Sequence, residues 1–394
     1  MNLGRVLIYS HDTYGLGHLR RSLLIAGRLA SLPQVSSVLI ATGSPRTQAF
    51  SLPPGCDTVK LPAVTKTPEG CYRARTLQMP LGEVVTMRAG LLRVIADTFR
   101  PDLILVDHAP TGMGGELRPL FDHLTDPAER PSMLLGLRDI IDEPEQVRAE
   151  WDRAGVWEAL ETVYDRIVVY GDPRVGTTAQ DLDLPALLPG KVRFAGYLGR
   201  PVPLPHRNGK QPLILVTAGG GGDGQETIQA YGDFLEAWPG RAPFRSLVVT
   251  GPLLSARRRR QAAARFRGIR QPVQVETFVE GMERLIGTAR GVIAMAGYNT
   301  VIELLASSTP ALLLPRTSPR REQLIRAERI APLAGFQVCS NPALAARSMG
   351  EFVRGVLNGG TRTPWERQDG LETVAQEVAE LIGERQGAQH AAVE

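Results

Sequence analysis

The sequence contains few cysteines and no long apolar run, and both scarcities exclude classes of protein. The three cysteines, Cys56, Cys71 and Cys339, form no CxxC pair, which argues against a zinc site and against a disulfide framework. No apolar stretch reaches the roughly 18 residues of a transmembrane helix, and nothing near Met1 resembles a cleavable signal peptide. We therefore expect a protein of the reducing cytoplasm.

Lysine is also scarce, because only four of the 45 basic residues are lysines, and the net charge of +4 is small for 394 residues. The charge of the whole chain therefore indicates no nucleic-acid partner. The arginine-rich run at 256–267 fits an exposed helix face better than a nucleic-acid site. Residues 86–100 are the one segment that would suit contact with a membrane or a lipid-linked acceptor, and they fit a helix packed on a sheet better.

A chain of 394 residues is too long for one ordinary core and predicts two domains. Short β-branched runs alternate with helical patterns, and most runs are apolar on both faces, as parallel strands covered by helices are. The predicted strands are 5–10, 37–42, 102–108, 131–139, 166–172, 212–220, 244–252, 272–279, 291–297 and 310–316. The predicted helices are 17–31, 80–99, 144–162, 224–238, 254–265, 281–288, 299–307, 320–334 and 371–384. This succession predicts doubly wound parallel sheets.

The predicted fold class is therefore α/β, with two Rossmann-like domains that face each other across a cleft. The first domain is predicted at 1–198, and a proline-rich linker follows at 199–211. The second domain is predicted at 212–370. An amphipathic helix at 371–384 is a candidate to pack back on the first domain, and a disordered tail is predicted at 385–394. Ligands of such sheets bind beyond the carboxyl ends of the strands, so the residues at those ends are the candidates for a site.

The stretch "YGLGHLRRS" follows the first predicted strand. Gly15 and Gly17 permit a tight turn and a close approach of a ligand to the backbone. His18 falls in the first turn of the next helix, where free amides and the helix dipole favour negative charge. An imidazole there suits a general base near pH 7, and the alternative is that His18 only caps or packs. His11, one residue past the strand, is a weaker candidate.

A second group of candidates lies in "TAGGGGDGQETI", residues 217–228, between a predicted strand and a predicted helix. Such a loop can cradle phosphate, although it is not a P-loop, since no GK[ST] follows. The alternative is a merely flexible loop. The candidates for contact with phosphate or sugar are Gly219, Gly220, Gly221, Gly222 and Asp223.

A third group begins where the strand at 291–297 ends. Asn299 and Thr300 are predicted to cap the next helix, and the amides from Gly297 onward would face a diphosphate. Glu303, about one helical turn in, suits paired hydroxyls such as those of a ribose.

Polar residues also follow two further strands. Beyond 310–316 come Arg316, Arg320, Glu322 and Gln323, of which the arginines suit phosphate. In the first half, Asp107 and His108 end a strand; they are candidates to hold an acceptor or to assist catalysis. A purely structural role for Asp107 is the alternative.

The glycine–histidine corner, the glycine-rich loop and the stretch "AGYNTVIELLASSTPALLLPR" resemble GT-B glycosyltransferases over nearly the whole chain. The similarity is to the branch that contains the N-acetylglucosaminyltransferase of peptidoglycan lipid synthesis, and within it to a bacterial group of family 28-like predicted glycosyltransferases. The resemblance implies a cytoplasmic bacterial enzyme of polysaccharide or glycoconjugate synthesis. It also implies inversion at the anomeric carbon and neither a metal nor a cofactor.

In that family the second domain binds a nucleotide-diphosphate sugar, usually a UDP-sugar, and the first binds the acceptor. By position, the resemblance implies that Glu303 binds the ribose hydroxyls and that Gly297, Asn299 and Thr300 lie by the diphosphate. Glu322 and Gln323 match the pair that touches the donor sugar, and His18 matches the proposed catalytic histidine. The identity of the acceptor is left open by this resemblance.

Two other activities and one non-catalytic role remain open for the same sequence. "GLGHLRRSLLIA" also resembles the UDP-sugar hydrolase of pseudaminic acid synthesis, although the long linker and the last helix favour a transferase. UDP-sugar 2-epimerases share the fold. A non-catalytic protein that binds nucleotide sugars is the third alternative.

Overall fold

A computed structural model of the chain describes residues 3–11, 17–45, 47, 51–66, 72–126, 129–199, 211–220, 222–252, 254–366 and 368–391. The chain divides into two compact units. Unit 1 comprises Met1–Leu198 and Gln368–Glu394, and unit 2 comprises Gly199–Arg367. Among the described helices, none combines the length and the apolar character that crossing a bilayer would require.

Fifteen strands are present in the described residues, nine in unit 1 and six in unit 2. Those of unit 1 are β1 (Gly4–Ser10), β2 (Val35–Thr42), β3 (Cys56–Lys60), β4 (Val64–Lys66), β5 (Tyr72–Ala74), β6 (Leu103–Asp107), β7 (Ser132–Arg138), β8 (Arg166–Tyr170) and β9 (Val192–Phe194). Those of unit 2 are β10 (Leu213–Thr217), β11 (Arg245–Val249), β12 (Val273–Glu276), β13 (Gly291–Ala294), β14 (Ala311–Leu313) and β15 (Gln337–Val338).

The helices cover the faces of these sheets. They are α1 (Gly17–Leu29), α2 (Leu81–Phe99), α3 (Arg118–His123), α4 (Pro144–Arg153), α5 (Val156–Thr162), α6 (Thr178–Asp181), α7 (Leu184–Leu187), α8 (Gln225–Glu236), α9 (Ala256–Phe266), α10 (Met282–Thr288), α11 (Tyr298–Leu305), α12 (Glu322–Ala334), α13 (Ala345–Leu357) and α14 (Gly370–Ala391). Every residue of β6 and β10 is buried, as strands covered on both faces must be.

Each unit contains one parallel sheet, and the predicted α/β class is confirmed. The order is β3-β2-β1-β6-β7-β8-β9 in unit 1 and β12-β11-β10-β13-β14-β15 in unit 2, while β4 and β5 form a separate antiparallel pair. In each sheet the direction of winding reverses between two neighbouring strands, β1 and β6 in unit 1 and β10 and β13 in unit 2. Ligands of doubly wound sheets bind beyond the carboxyl ends of the strands at such a point.

Most predicted helices agree with the structure to within two residues at each end, and two differ by more. The helix expected over 144–162 is two helices, because Gly155 has a left-handed backbone with φ of 54° that interrupts the α-helix before α5. The last helix was expected to end at 384, and the tail from 385 to be disordered. Instead α14 continues to Ala391. Arg385 donates to the carbonyl of Glu129 at 2.8 Å, and the residues beyond it include good helix formers such as Gln386 and Ala388.

The last helix packs within unit 1. Its buried face includes Val378 and Ile382, and a Cβ on Gly4 would lie 3.0 Å from the Ile382 side chain. At the amino end of the helix, Glu372 accepts from Arg28 of α1 at 2.7 Å. Unit 1 is therefore built from both ends of the chain, with α14 placed against the edge where β1 begins.

Candidate functional site

A histidine, an aspartate and an arginine meet where the winding of the unit 1 sheet reverses. His18 is the second residue of α1, and Asp107 is the last residue of β6. The Nδ1 atom of His18 lies 2.8 Å from Oδ2 of Asp107. Arg21 donates through Nε to Oδ1 and through Nη2 to Oδ2 of the same carboxylate, both at 2.8 Å.

Local structure explains why these side chains meet. Ser10 ends β1 and pairs in register with Asp107, so the helix after β1 begins beside the end of β6. The hydroxyl of Ser22 in α1 donates to that of Ser10 at 3.0 Å, which fixes the helix against the strand. His18 and Arg21 are three residues apart and therefore share a helix face.

The carboxyl group of Asp107 is fully buried and ionised. Burial acts to raise the pKa of Asp107, but the charge of Arg21 and the bond to His18 outweigh it, and the net shift is downward. Burial lowers the pKa of His18 below its ordinary value; the bond to Asp107 opposes that shift, and the charge of Arg21 adds to it. The site therefore holds a neutral imidazole beside a carboxylate at pH 7.

Two further histidines line the same edge of the sheet. The rings of His18 and His108 stack with centroids 5.4 Å apart, and the ring of His11 meets that of His18 edge-on at 5.7 Å. The hydroxyl of Tyr72 lies 3.5 Å from Nε2 of His11. His108 has φ of 73°, which a non-glycine residue rarely adopts and which marks functional sites. Burial and then the charge of Arg138 hold the pKa of His108 well below its ordinary value.

The structure thus brings together four of the predicted candidates in unit 1, His11, His18, Asp107 and His108. Gly17 is the first residue of α1, and Gly15 lies outside the described residues. In the described part of the chain, no group of three or more His, Cys, Asp or Glu side chains is placed to hold a metal ion. The expected independence from metals stays a prediction.

The glycine-rich loop of unit 2 joins β10 to α8. Gly219 has φ of 60°, and its amide donates to the hydroxyl of Thr217 at 3.2 Å. Gly224 is the cap residue before α8, and a Cβ there would lie 2.1 Å from that of Ala218, so only glycine fits. Gly220 and Gly222 belong to the same loop, and Gly221 lies outside the described residues. The loop therefore approaches the helix closely and leaves its first amides without a side-chain cap.

The next corner lies at the start of α11, beyond β13. The prediction that Asn299 and Thr300 cap the helix is wrong, because Gly297 has the extended backbone of the cap position and both residues lie inside the helix. Tyr298 begins the helix because its ring is buried and packs under the guanidinium of Arg326. Glu303 is half-buried in the same helix.

The capping glycine of α11 has space around it. A Cβ on Gly297 would meet no described atom within 4 Å, so packing inside the described protein does not explain a glycine there. A ligand that approaches the backbone closely is a physical reason for one.

An arginine links the glycine-rich loop to α12. Arg316 follows β14 and donates through Nη1 to Asp223 at 2.7 Å, and through Nη2 to the carboxylate of Glu322. Its amide donates to the side chain of Gln323 at 3.2 Å. Four predicted candidates, from two distant parts of the sequence, therefore form one cluster. Arg320 is half-buried in the segment between β14 and α12.

Sequence reasoning missed two buried arginines. Arg326 is 1% exposed and donates to the carbonyl of Ala296 at 3.1 Å, which holds the segment before α11. Arg21 is the second. The spacing of three residues between His18 and Arg21 was a signal that could have found it, since it places both on one helix face.

Solved structures resemble the whole chain. The calicheamicin glycosyltransferase CalG4 is 16% identical with a TM-score of 0.60, and the alignment covers 97% of this chain and 99% of that one. MurG of Acinetobacter baumannii is 13% identical with a TM-score of 0.56, covering 96% and 99%. A UDP-N-acetylglucosamine 2-epimerase is 12% identical with a TM-score of 0.60, covering 96% and 95%.

These likenesses confirm the resemblance at the level of the fold, and the chain has the GT-B fold. Neither a protein-family model nor a curated protein matches the sequence. Identities this low carry no activity over from one protein to the other, because one fold hosts many functions. The function therefore has to be argued from the site.

Proposed function

We propose that the chain is a glycosyltransferase that moves a sugar from a UDP-linked donor to a hydroxyl group of an acceptor. The observation that carries the proposal is the 2.8 Å contact of His18 Nδ1 with the buried carboxylate of Asp107, where the winding of the unit 1 sheet reverses. Burial lowers the pKa of His18, which favours the neutral imidazole. A neutral imidazole that donates from one nitrogen keeps the other as a base. A hydroxyl group is the substrate that needs such a base.

Unit 2 supplies the donor site in this proposal. The amino ends of α8 and α11, where no side chain caps the helix, suit a diphosphate, and the space around Gly297 admits one. Arg316 or Arg320 neutralises its charge. Glu303 binds the ribose hydroxyls, and Glu322 and Gln323 bind the donor sugar. UDP is favoured because the epimerase with the same fold is named for a UDP-sugar.

Unit 1 supplies the base and the acceptor site. His18 takes the proton of the acceptor hydroxyl, whose oxygen attacks the anomeric carbon while the bond to the diphosphate breaks. Asp107 orients the imidazole and stabilises the imidazolium that forms, and His11 and His108 contact the acceptor. A single displacement of this kind inverts the anomeric carbon. Amides and arginines stabilise the leaving diphosphate, which is why no metal is needed.

A second candidate is a UDP-sugar 2-epimerase, which the structural likeness supports as well as it supports a transferase. The two are separated by their products. A transferase consumes an acceptor and releases UDP, whereas a 2-epimerase converts one UDP-sugar into another. UDP-sugar hydrolysis would release free sugar without any acceptor.

The proposal is tested by melting the full chain with UDP, GDP, dTDP and their sugars. A ligand at about 100 times its Kd stabilises the folded state by about 2.7 kcal/mol, so a UDP-class ligand should raise the Tm by several degrees. Glu303→Ala should lose most of the shift caused by UDP. The control is Glu351→Ala, which removes an exposed carboxylate of α13 that pairs with Arg347 and should keep the shift.

Two outcomes would contradict the proposal. If no nucleotide raises the Tm, the chain has no donor site of this class. If Glu303→Ala keeps the full shift with UDP, the ribose is bound by other residues and the assignment of Glu303 is wrong. Product analysis with the stabilising UDP-sugar then separates a transferase from an epimerase or a hydrolase.

A further inference from the structure

Arg21 has a place in the site that the proposed function does not yet use. The residue is buried and lies on α1 one turn beyond His18. It binds both oxygens of Asp107 with two bonds of 2.8 Å, the paired geometry that a guanidinium offers and an ammonium does not. Its Nη2 atom also lies 2.8 Å from Nδ1 of His18. One arginine therefore contacts both members of the candidate catalytic pair.

These contacts place a proton on Nδ1 of His18. Arginine has no acceptor atom, so if Arg21 donated to Nδ1 of His18, that nitrogen would carry no proton. Nδ1 and Oδ2 of Asp107 would then face each other as two acceptors at 2.8 Å, which is repulsive. If Nδ1 carries the proton, it donates to Oδ2 beside the bond from Arg21. The short approach of Nη2 to Nδ1 then follows because both nitrogens bind one oxygen.

We propose that Arg21 is a positioning residue, which supplies the permanent countercharge of Asp107 and so keeps His18 neutral, protonated at Nδ1 and free at Nε2. The inference rests on the proposed role of His18 as a base. No described residue forms a hydrogen bond with Nε2 of His18, so that nitrogen is available to an acceptor hydroxyl. A buried carboxylate needs one cation close by. Because Arg21 provides it, the imidazole does not have to.

The surroundings of Arg21 hold it in this place. Its guanidinium lies over the ring of Tyr170, 5.6 Å from the centroid. That ring occupies the space beside Gly136 in β7, because a Cβ on Gly136 would lie 1.8 Å from the Tyr170 hydroxyl. Gly136 also accepts a hydrogen bond of 2.7 Å from the amide of His108. Tyr170 of β8, whose ring fills the space beside Gly136 of β7, therefore packs against the guanidinium of Arg21.

Several other groups face His18 from the elements around it. The end of β6 contributes Asp107 and then His108, whose ring stacks on that of His18. His11 follows β1, and its ring also meets those of Tyr72 of β5 and of His108. Arg138 ends β7, and its charge lowers the pKa of both His18 and His108. Arg21 binds both oxygens of Asp107 directly, so it is the group whose removal should change the charge of His18 most.

The test is an NMR titration of the histidine side chains in the full chain without substrate. Protein labelled with ¹⁵N in its six histidines is followed by two-bond ¹H–¹⁵N correlations from pH 5 to pH 9, and His18→Gln identifies the signals of His18. In the wild type we expect the neutral form protonated at Nδ1 and a midpoint below about 6.5, the ordinary value for histidine.

Three variants decide the matter. Arg21→Met removes the charge, and the His18 midpoint should rise by about one pH unit or more, to above about 6.5, because the imidazolium then serves as the cation for Asp107. Arg21→Lys keeps a charge but loses the paired bonds, and the midpoint should rise less. Arg28→Met is the control, since Arg28 lies on the same helix and pairs with Glu372; it should leave the midpoint unchanged.

The inference is overturned if the neutral imidazole of the wild type carries its proton on Nε2. It is also overturned if the midpoint is the same in the wild type and in the Arg21 variants. Should Arg21→Met fail to fold, Arg21→Lys decides between a rise and no change. The titration needs no nucleotide, so the failure of this inference is distinct from the failure of the donor assignment, which the melting experiment reports.

Discussion

The two units each place an arginine among carboxylates beyond the carboxyl ends of their strands, and they bury it to different depths. In unit 1 the side chains of Arg21 and Asp107 are 3% and 0% exposed. In unit 2 the side chain of Arg316 is 24% exposed, and that of its partner Asp223 is 38% exposed. The first pair is sealed inside the unit, and the second lies open to solvent.

The burial of an ion pair determines the free energy that is lost when the pair is broken. Breaking a buried pair leaves a charge without solvent and costs about 3–5 kcal/mol, whereas an exposed pair contributes about 0.2–1 kcal/mol. The pair in unit 1 therefore suits a fixed state, such as one protonation state of His18. The pair in unit 2 can exchange one anion for another at little cost. An anionic ligand is expected to replace a carboxylate there.

The largest effect is expected at the fixed site. His18→Ala removes the proposed base, and turnover should fall about 10²–10⁴-fold. The measurement is UDP release from the stabilising UDP-sugar, with and without acceptors. His123→Ala is a matched control, because His123 also pairs with an aspartate, Asp97 at 2.7 Å, but on the exposed surface of unit 1. Near-native turnover in His18→Ala would remove this residue from the chemistry.

The comparison itself is tested by removing each arginine. Arg21→Met should lower the free energy of unfolding by about 3–5 kcal/mol, and Arg316→Met by no more than about 1 kcal/mol. Urea denaturation followed by circular dichroism measures both. Equal losses would show that burial does not separate the two clusters.

The pH dependence of the Arg21→Met loss follows from the same argument. In the wild type the pKa of His18 is lowered by burial, so protonation favours the unfolded chain and stability falls as the pH drops through that range. In Arg21→Met the folded pKa is expected above the unfolded value. In that variant the protonated His18 stabilises the folded state at low pH, and this stabilisation is lost as the pH rises through the folded pKa. The fall in the free energy of unfolding caused by Arg21→Met should therefore be smaller at pH 6 than at pH 8.

Much of the frame could be predicted from the sequence. All ten predicted strands are present, because apolar runs bounded by glycine and proline mark buried parallel strands strongly. Five strands were missed. Four of them, β4, β5, β9 and β15, have two or three residues, which carry no periodicity. The fifth, β3, is only partly buried and is not an apolar run. Helix α13 was missed despite a clear pattern, in which Met349, Phe352 and Val356 are buried at helical spacing.

The sequence predicted the separate strand-to-helix corners of the site, and it did not predict which of their side chains contact one another. The ends of β1, β10 and β13 were found because glycines and polar residues follow buried runs. The pairing of Arg316 with Asp223 joins residues far apart in the sequence, and only the packing of the chain shows it. The spacing from His18 could have singled out Arg21 in "HLRRS", but its partner Asp107 lies 86 residues away in the sequence, and only the fold shows that pairing.

The smallest effect is expected at the exposed pair. The Asp223 carboxylate lies 2.7 Å from Arg316, so it competes with a diphosphate for that cation and repels it. Asp223→Asn keeps the size and removes the charge, and the Kd for UDP should fall about three- to tenfold, the equivalent of up to about 1.4 kcal/mol. Isothermal titration calorimetry at low salt measures this Kd.

The control is Asp233→Asn in α8, which removes an exposed partner of Arg265 and should leave the Kd unchanged. If Asp223→Asn bound UDP more weakly, the carboxylate would be a ligand contact. The pair of Arg316 and Asp223 would then keep its carboxylate when the ligand binds, and in this respect it would not differ from the buried pair of Arg21 and Asp107.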